Sequence, residues 1–227
     1  MSRRMSPLTL ESLPDLPAAC RSCVRWELDP VAARRAARDG GTAFEKEAWL
    51  SSVLLSWGTA GRLAYVDDEL AGFLTYAPPV HVPRSLAFPT SPVSGDAVLL
   101  MSGQVLPRHR GGGIARMLVQ GVAKDLTQRG VRALEAFGDA GGQQAGAAPA
   151  TAARAAEAAR GEEQDPSAGC LVPAAFLEAV GFTVVRPHPR YPRLRLELRT
   201  ALSWREDVEA ALERILASVR VPTLTGA

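Results

Sequence analysis

The run Leu106-Pro107-Arg108-His109-Arg110-Gly111-Gly112-Gly113-Ile114-Ala115-Arg116 concentrates the residue types that hold anions. Adjacent glycines let a main chain come close to a ligand. Their N–H groups, with the start of a helix behind them, form a cradle for negative charge. Arg108, Arg110 and Arg116 add positive charge around it, so a pyrophosphate is the natural guest. His109 belongs either on that phosphate or at the surface. Two familiar phosphate loops do not fit. A P-loop requires Lys-Ser or Lys-Thr after its glycines, and none follows here. A dinucleotide fingerprint would put Arg116 where a third small residue must let helix pack on strand.

Other residues carry chemistry singly. Glu135 interrupts the apolar run from Val131 to Phe137 and is a candidate base, acting directly or through water; its alternative is a strand-edge carboxylate facing solvent. Tyr191, within Pro189-Arg190-Tyr191-Pro192, is a candidate acid, or else it packs a loop. Cys20-x-x-Cys23 has the spacing of half a zinc or redox site. Structural zinc takes four protein ligands. The remainder would have to come from Cys170, His81, His109 or His188, none of which forms a second pair, so no metal is expected. Trp26, Trp49, Trp57 and Trp204 read as packing residues.

The elements that must position these groups follow from periodicity. Leu8 and Leu10 alternate with polar residues as a short strand would. Thr42 with Glu45 has the form of a capping box, opening a helix with Trp49, Val53 and Trp57 on one face and Leu50 and Leu54 beside them. Residues 63–66 and 70–76 flank Asp67-Asp68 as a hairpin, and the proline-rich stretch 78–96 is a loop. Ala97 to Leu106 reads as a strand buried on both faces. Ile114, Leu118, Val122 and Leu126 then mark an amphipathic helix that Gly130 ends, before a second buried strand at 131–137. This βαβ unit predicts parallel strands with a right-handed crossover.

Between 139 and 168 the chain has 12 Ala and 4 Gly and no large apolar residue, so it cannot offset its ordering entropy and is expected to be mobile. Beyond it are predicted a short helix over 173–180, a strand pair at 182–185 and 194–198, a helix over 203–219 and a frayed tail from Pro222. A net charge of +2 over 227 residues excludes a nucleic-acid footprint, and the basic clusters at Arg108–Arg110 and Arg186–Arg195 suit a small anion. No apolar run is long enough to span a membrane and no secretion signal is evident. A cytoplasmic location is the expectation.

The Gly loop resembles motif A of the GNAT acetyltransferase superfamily, [RQ]-x-x-G-x-[GA], as Arg110-Gly111-Gly112-Gly113-Ile114-Ala115. Phe176-Leu177-Glu178-Ala179-Val180-Gly181-Phe182 resembles that family's F-Y-x-x-x-G-F segment, with Leu177 in place of the Tyr that often serves as acid. The resemblance covers about 59–200, with 139–168 interrupting it. It implies an α/β fold: a mixed twisted sheet of about six or seven strands, helices on both faces and splayed central parallel strands. On that reading 1–58 supplies the first helices, 59–200 the acyl-CoA N-acyltransferase core, and 201–227 a C-terminal helix that either packs on the domain or makes a homodimer. The implied reaction is direct acetyl transfer from acetyl-CoA to a primary amine on a small molecule or protein. Val105 and Leu106 would offer main-chain groups to pantetheine, Arg110 to Ala115 would hold the pyrophosphate, and the acyl group would sit near 102–104 and 135–137. The alternative is a non-catalytic acyl-CoA sensor or scaffold.

Overall fold

The structure, a computed structural model, describes residues 2–141 and 170–198. The remainder of the segment expected to be mobile, the helix over 203–219, Trp204 and the tail lie outside the described residues.

The elements are β1 (Arg3–Pro7), α1 (Ala18–Arg21), α2 (Pro30–Arg38), α3 (Thr42–Trp57), β2 (Gly61–Val66), β3 (Glu69–Ala77), β4 (Ala97–Val105), α4 (Ile114–Gln128), β5 (Ala133–Asp139), β6 (Val172–Pro173), α5 (Ala174–Ala179), β7 (Thr183–Arg186) and β8 (Arg193–Glu197). They build one sheet in the order β1-β2-β3-β4-β5-β8-β7, with the two-residue β6 added on β5. β4 and β5 are parallel, as the βαβ pattern predicts.

Strand periodicity divides the core into two layers. Val98 and Leu100 of β4, with Leu134 and Ala136 of β5, meet Leu118, Val122 and Leu126 of α4 and Leu177 of α5 on one face. Their neighbours Leu99, Met101, Ala133 and Phe137 meet Trp26 and the Leu50 and Val53 of α3 on the other. The continuous apolar runs of β4 and β5 are thus the signature of a sheet covered twice. Gly130, just past α4, has φ +76° and closes that helix as a left-handed residue. Among the described residues no helix is long and apolar enough to cross a membrane.

Several local expectations are corrected. The first strand is Arg3–Pro7, not the alternating stretch from Leu8; it pairs antiparallel with β2, and Leu8 lies fully buried just beyond it. Tertiary pairing outweighed a weak alternation. Gly41 rather than Thr42 caps α3, without a side-chain bond, so no capping box forms. The buried face of α3 is Lys46, Leu50 and Val53, while Trp49 stands at its margin and donates Nε1–H to the His81 carbonyl at 2.7 Å. The short α2 was not foreseen; Asp29 caps it by accepting from the amides of Val31 and Ala32. β5 runs on to Asp139, and Ala140 donates to the Arg190 carbonyl, so the strand intrudes into the alanine-rich stretch.

The central feature is where β4 and β5 part. Their pairing spans only Ala97↔Ala133 to Leu100↔Ala136. Against β3, Thr75 faces Ser102 and Tyr76 faces Leu100, which leaves Met101 as an extra residue in β4. A bulge of this kind bends the strand that contains it. β4 continues beside β3 to Val105, whereas β5 continues to Asp139, so the two diverge. β6 takes the edge of β5 at Gly138 and Asp139.

The paired end is fastened by charge. Glu135 is fully buried, correcting the solvent-facing alternative. Its Oε2 accepts from Arg193 Nη1 at 2.8 Å and the Ser94 amide at 3.1 Å, and its Oε1 accepts from Arg195 Nη1 at 3.1 Å. Arg195 also grips Asp96 with both guanidinium nitrogens, at 2.9 and 3.0 Å, and holds that carboxyl below its usual range. The cluster ties β5 and β8 to the segment just before β4.

Two stability measurements check this account. Leu118→Ala empties space between α4 and the sheet and should lower the unfolding free energy by about 2–5 kcal/mol in urea with an unchanged m-value. Glu135→Ala leaves the buried Arg193 cation uncompensated and should cost about 3–5 kcal/mol in the same assay.

Candidate active site

The Gly loop leaves β4 through a single 3-10 turn at Pro107–His109 and enters α4 at Gly113. Gly111 and Gly113 have φ +77° and +78°, a conformation that side chains resist, and open space surrounds the position a Cβ would take at each. Gly113 caps α4 without any side-chain bond, and the helix has no acidic residue in its first turn. Its first internal bond runs from the Met117 amide to the Gly113 carbonyl, which leaves the amides of Ile114, Ala115 and Arg116 without a helical acceptor. This bare positive helix end is what the sequence predicts for an anion cradle. Arg110 is exposed and lays its Nε–H on the Val105 carbonyl at 3.3 Å, while Arg108 is drawn to Glu69 at 3.2 Å. The Nε2 of His109 is buried with no partner among the described residues, so its ring is not simply a surface group.

Val105 and Leu106 behave differently. Leu106 donates its amide to the Ala71 carbonyl and accepts from the His109 amide on its own carbonyl. Both of its main-chain groups therefore already have partners within the chain, as the Val105 carbonyl has in Arg110. Strand alternation turns the main chain of Val105 the other way, toward the gap beyond the bulge.

On the face opposite α4, the same stretch of β4 floors a small cleft, with a free volume of about 30 Å³. Ser102, Gly103 and Gln104 line it from β4, Phe73 and Thr75 from β3, and Leu16, Cys20, Cys23, Trp26 and Glu27 from the segment leading to α2. Lys46 of α3 and Cys170, just before β6, complete the lining. Thr75 Oγ1 and Ser102 Oγ share a hydrogen bond at 2.8 Å. Lys46 donates to Glu27 Oε1, and the Trp26 amide donates to Glu27 Oε2 at 3.0 Å. Both charged side chains are almost wholly buried, 6% and 2% exposed. An ion pair there neutralises two charges that could not be desolvated singly. Among the described residues that line the cleft, Glu27 is the one carboxylate.

The two residues named as acid and base lie apart from this cleft. Glu135 is locked in its ion cluster, with both oxygens occupied by cations. Tyr191 packs edge-on against Phe88 at 5.6 Å and stacks with His188 at 6.1 Å, as a loop-packing residue does. Phe88 in turn stacks on Trp26 and Phe137, so Tyr191 stands behind the aromatic wall of the cleft. Leu177 is fully buried among α4 and β8 residues and takes no part in the lining. Sequence reading missed Glu27 and Lys46, although one signal was present. Lys46, Leu50 and Val53 fall on one helical face, and a lysine on an apolar face calls for a buried partner.

The three cysteines do converge. Cys20, Cys23 and Cys170 all line the cleft as free, half-buried thiols. The described residues hold no group of three or more His, Cys, Asp or Glu side chains arranged to bind a metal ion.

Comparison with known proteins bears on this geometry. The family model of the Acetyltransferase (GNAT) family matches residues 24–148, more than half of the chain. Curated proteins gave no match. Among solved structures, the PaiA N-acetyltransferase of Thermoplasma acidophilum in complex with coenzyme A superposes with a TM-score of 0.50 at 13% identity, covering 87% of this chain and 99% of the other. The loading GNATL domain of CurA from Lyngbya majuscula gives 0.52 at 14% identity, covering 88% and 100%. At such identities the likeness concerns the fold, and it extends over nearly the whole of each relative. The family match, by contrast, takes in part of the cleft, the bulged strand, the Gly loop and α4, and on that ground the chain belongs to the GNAT acetyltransferase family.

Proposed function

We propose that the chain transfers an acetyl group from acetyl-CoA to a primary amine held in the cleft. The observation that carries this reading is the start of α4, whose first three amides lack a helical acceptor, on the loop that follows β4, the strand that parts from β5 and floors a cleft with a buried carboxylate. A donor with a charged pyrophosphate and a long thin thiol arm suits that arrangement. The N-acetyltransferase of Thermoplasma acidophilum, whose structure contains coenzyme A, shares the fold and supports the choice of donor.

Arg110 and the amides from Gly111 to Ala115 would hold the pyrophosphate. The main chain of Val105, facing the gap, would take the pantetheine amide as an added strand would. Glu27 replaces Glu135 as the group assigned to the acceptor. Its carboxylate would bind the incoming ammonium and relay its proton, since only an unprotonated amine attacks a thioester. Lys46 steadies that carboxylate by ion pairing. The narrow cleft favours a small amine or the end of an extended side chain. Leu177 supports a second reading, a sensor that binds acyl-CoA without turnover, because it leaves no phenol at the position where the family often has one.

Arg110→Glu should raise the KM for acetyl-CoA at least about tenfold, a loss near 1.4 kcal/mol, with little change in Tm. An unchanged KM would remove the loop assignment. Glu27→Gln should depress kcat across a panel of primary amines, followed by release of free thiol, while calorimetry still shows coenzyme A binding. Wild-type protein that binds coenzyme A yet turns over no amine would instead favour the sensor.

A further inference from the structure

Several donors on the cleft wall are answered from within the chain. Lys46 and the Trp26 main-chain amide both donate to Glu27. The hydroxyls of Thr75 and Ser102 bond each other. The indole of Trp26 is different. Trp26 lines the cleft and is 2% exposed, and its Nε1–H is buried and meets no acceptor among the described residues. Its ring is not free to turn toward one. It stacks on Phe88 at 5.2 Å, and Phe88 stacks on Phe137 at 4.3 Å, so three near-parallel aromatic planes fix its orientation.

An indole N–H only donates, so its missing partner must bring a lone pair. Electrostatics decides which kind. Among the described residues that line the cleft, Lys46 is the one cation, and Glu27 already holds it. A carboxylate brought in beside Glu27 would add a second negative charge with no cation left to compensate it. A neutral carbonyl or hydroxyl oxygen brings no such charge. Size sets a second limit. A free volume of about 30 Å³ admits only a few atoms, so the group that reaches Trp26 lies within a few bonds of the group that reaches Glu27.

We propose that Trp26 is a specificity-determining residue, whose indole N–H receives a neutral oxygen that the acceptor carries close to its amine while Glu27 receives the amine itself. The acceptor class is then a primary amine with a carbonyl or hydroxyl oxygen a few bonds from its nitrogen, as in an amino amide or an amino alcohol. This assignment deepens the acyltransferase reading of the cleft and rests on it. A plain alkylamine leaves the indole N–H buried and unanswered, and an α-amino acid sets its carboxylate against Glu27. A site that presents a buried polar group rejects the analogue that cannot engage it.

The test measures kcat/KM on the full chain with acetyl-CoA for glycinamide, ethanolamine, propylamine and glycine, each expressed per unprotonated amine and followed by release of free thiol. Glycinamide and ethanolamine should exceed propylamine and glycine at least about fivefold. Trp26→Phe keeps an aromatic ring in the stack and removes the N–H. It should bring the ratio of glycinamide to propylamine close to one, whereas a purely packing role would lower all four amines alike. Coenzyme A binding by calorimetry reports whether the variant is folded, and where it is not, the wild-type ranking alone decides. Equal use of glycinamide and propylamine by the wild type, or a preference that survives Trp26→Phe, overturns the assignment and leaves the acyltransferase reading standing. Turnover of no amine at all overturns both.

Discussion

A main-chain amide or carbonyl that leaves a sheet must find another partner, and this constraint governs the centre of the molecule. After the extra residue at Met101, β4 can no longer reach β5. The edge of β5 is met farther on by β6, and that of β4 is left facing a gap. The Gly loop follows within a few residues and adds the bare amides of a helix start. Bare amides thereby lie beside a central strand of the sheet rather than at its rim. A ligand with a charged end would satisfy them without disturbing either apolar layer.

Such an opening must be kept local, or the sheet would come apart. The cluster of Glu135, Arg193, Arg195 and Asp96, buried at Glu135 and Arg193 and open to solvent at Asp96, sits at the closed end of the wedge. It joins β5, β8 and the chain just before β4. The two buried charges interact strongly because little water reaches them, and they are tolerable only because each is compensated. The covering helices act in the same sense from above and below, since α4 bridges β2, β3 and β4 while α3 and Trp26 press on the opposite face. The site residue expected at Glu135 is thus a fastener for the site, one layer removed from the chemistry.

The fold was legible where the periodicity was strong. The run 97–106, the four-residue repeat of Ile114, Leu118, Val122 and Leu126, and Gly130 each predicted an element within about two residues of its observed bounds. The Gly loop was legible because its chemistry is local: glycine conformation and helix polarity need no distant partner. What escaped was whatever depends on partners far along the chain. Nothing near Glu135 announces that Arg193 and Arg195 will enclose it. Leu106 loses its main-chain groups to Ala71 and His109, which a linear reading does not count. The segment from Leu8 to Leu10 alternates yet lies beyond the strand, because pairing with β2 decides the register. The cysteine cluster needed Cys170 to arrive from the far side of the alanine-rich stretch.

The buried pair of Lys46 and Glu27 also resists a purely structural explanation. Apolar residues of similar volume often serve stability as well as or better than a desolvated ion pair. The rest of α3's inner face is Leu50 and Val53, so an apolar replacement would have had ready packing. Placing both charges at the wall of the cleft sacrifices that gain and produces a polarised site in a confined space. The pair then has a use in the proposed chemistry, where its carboxylate would receive an ammonium and pass on a proton. A glutamate alone would leave an uncompensated buried charge, so the two are useful only together.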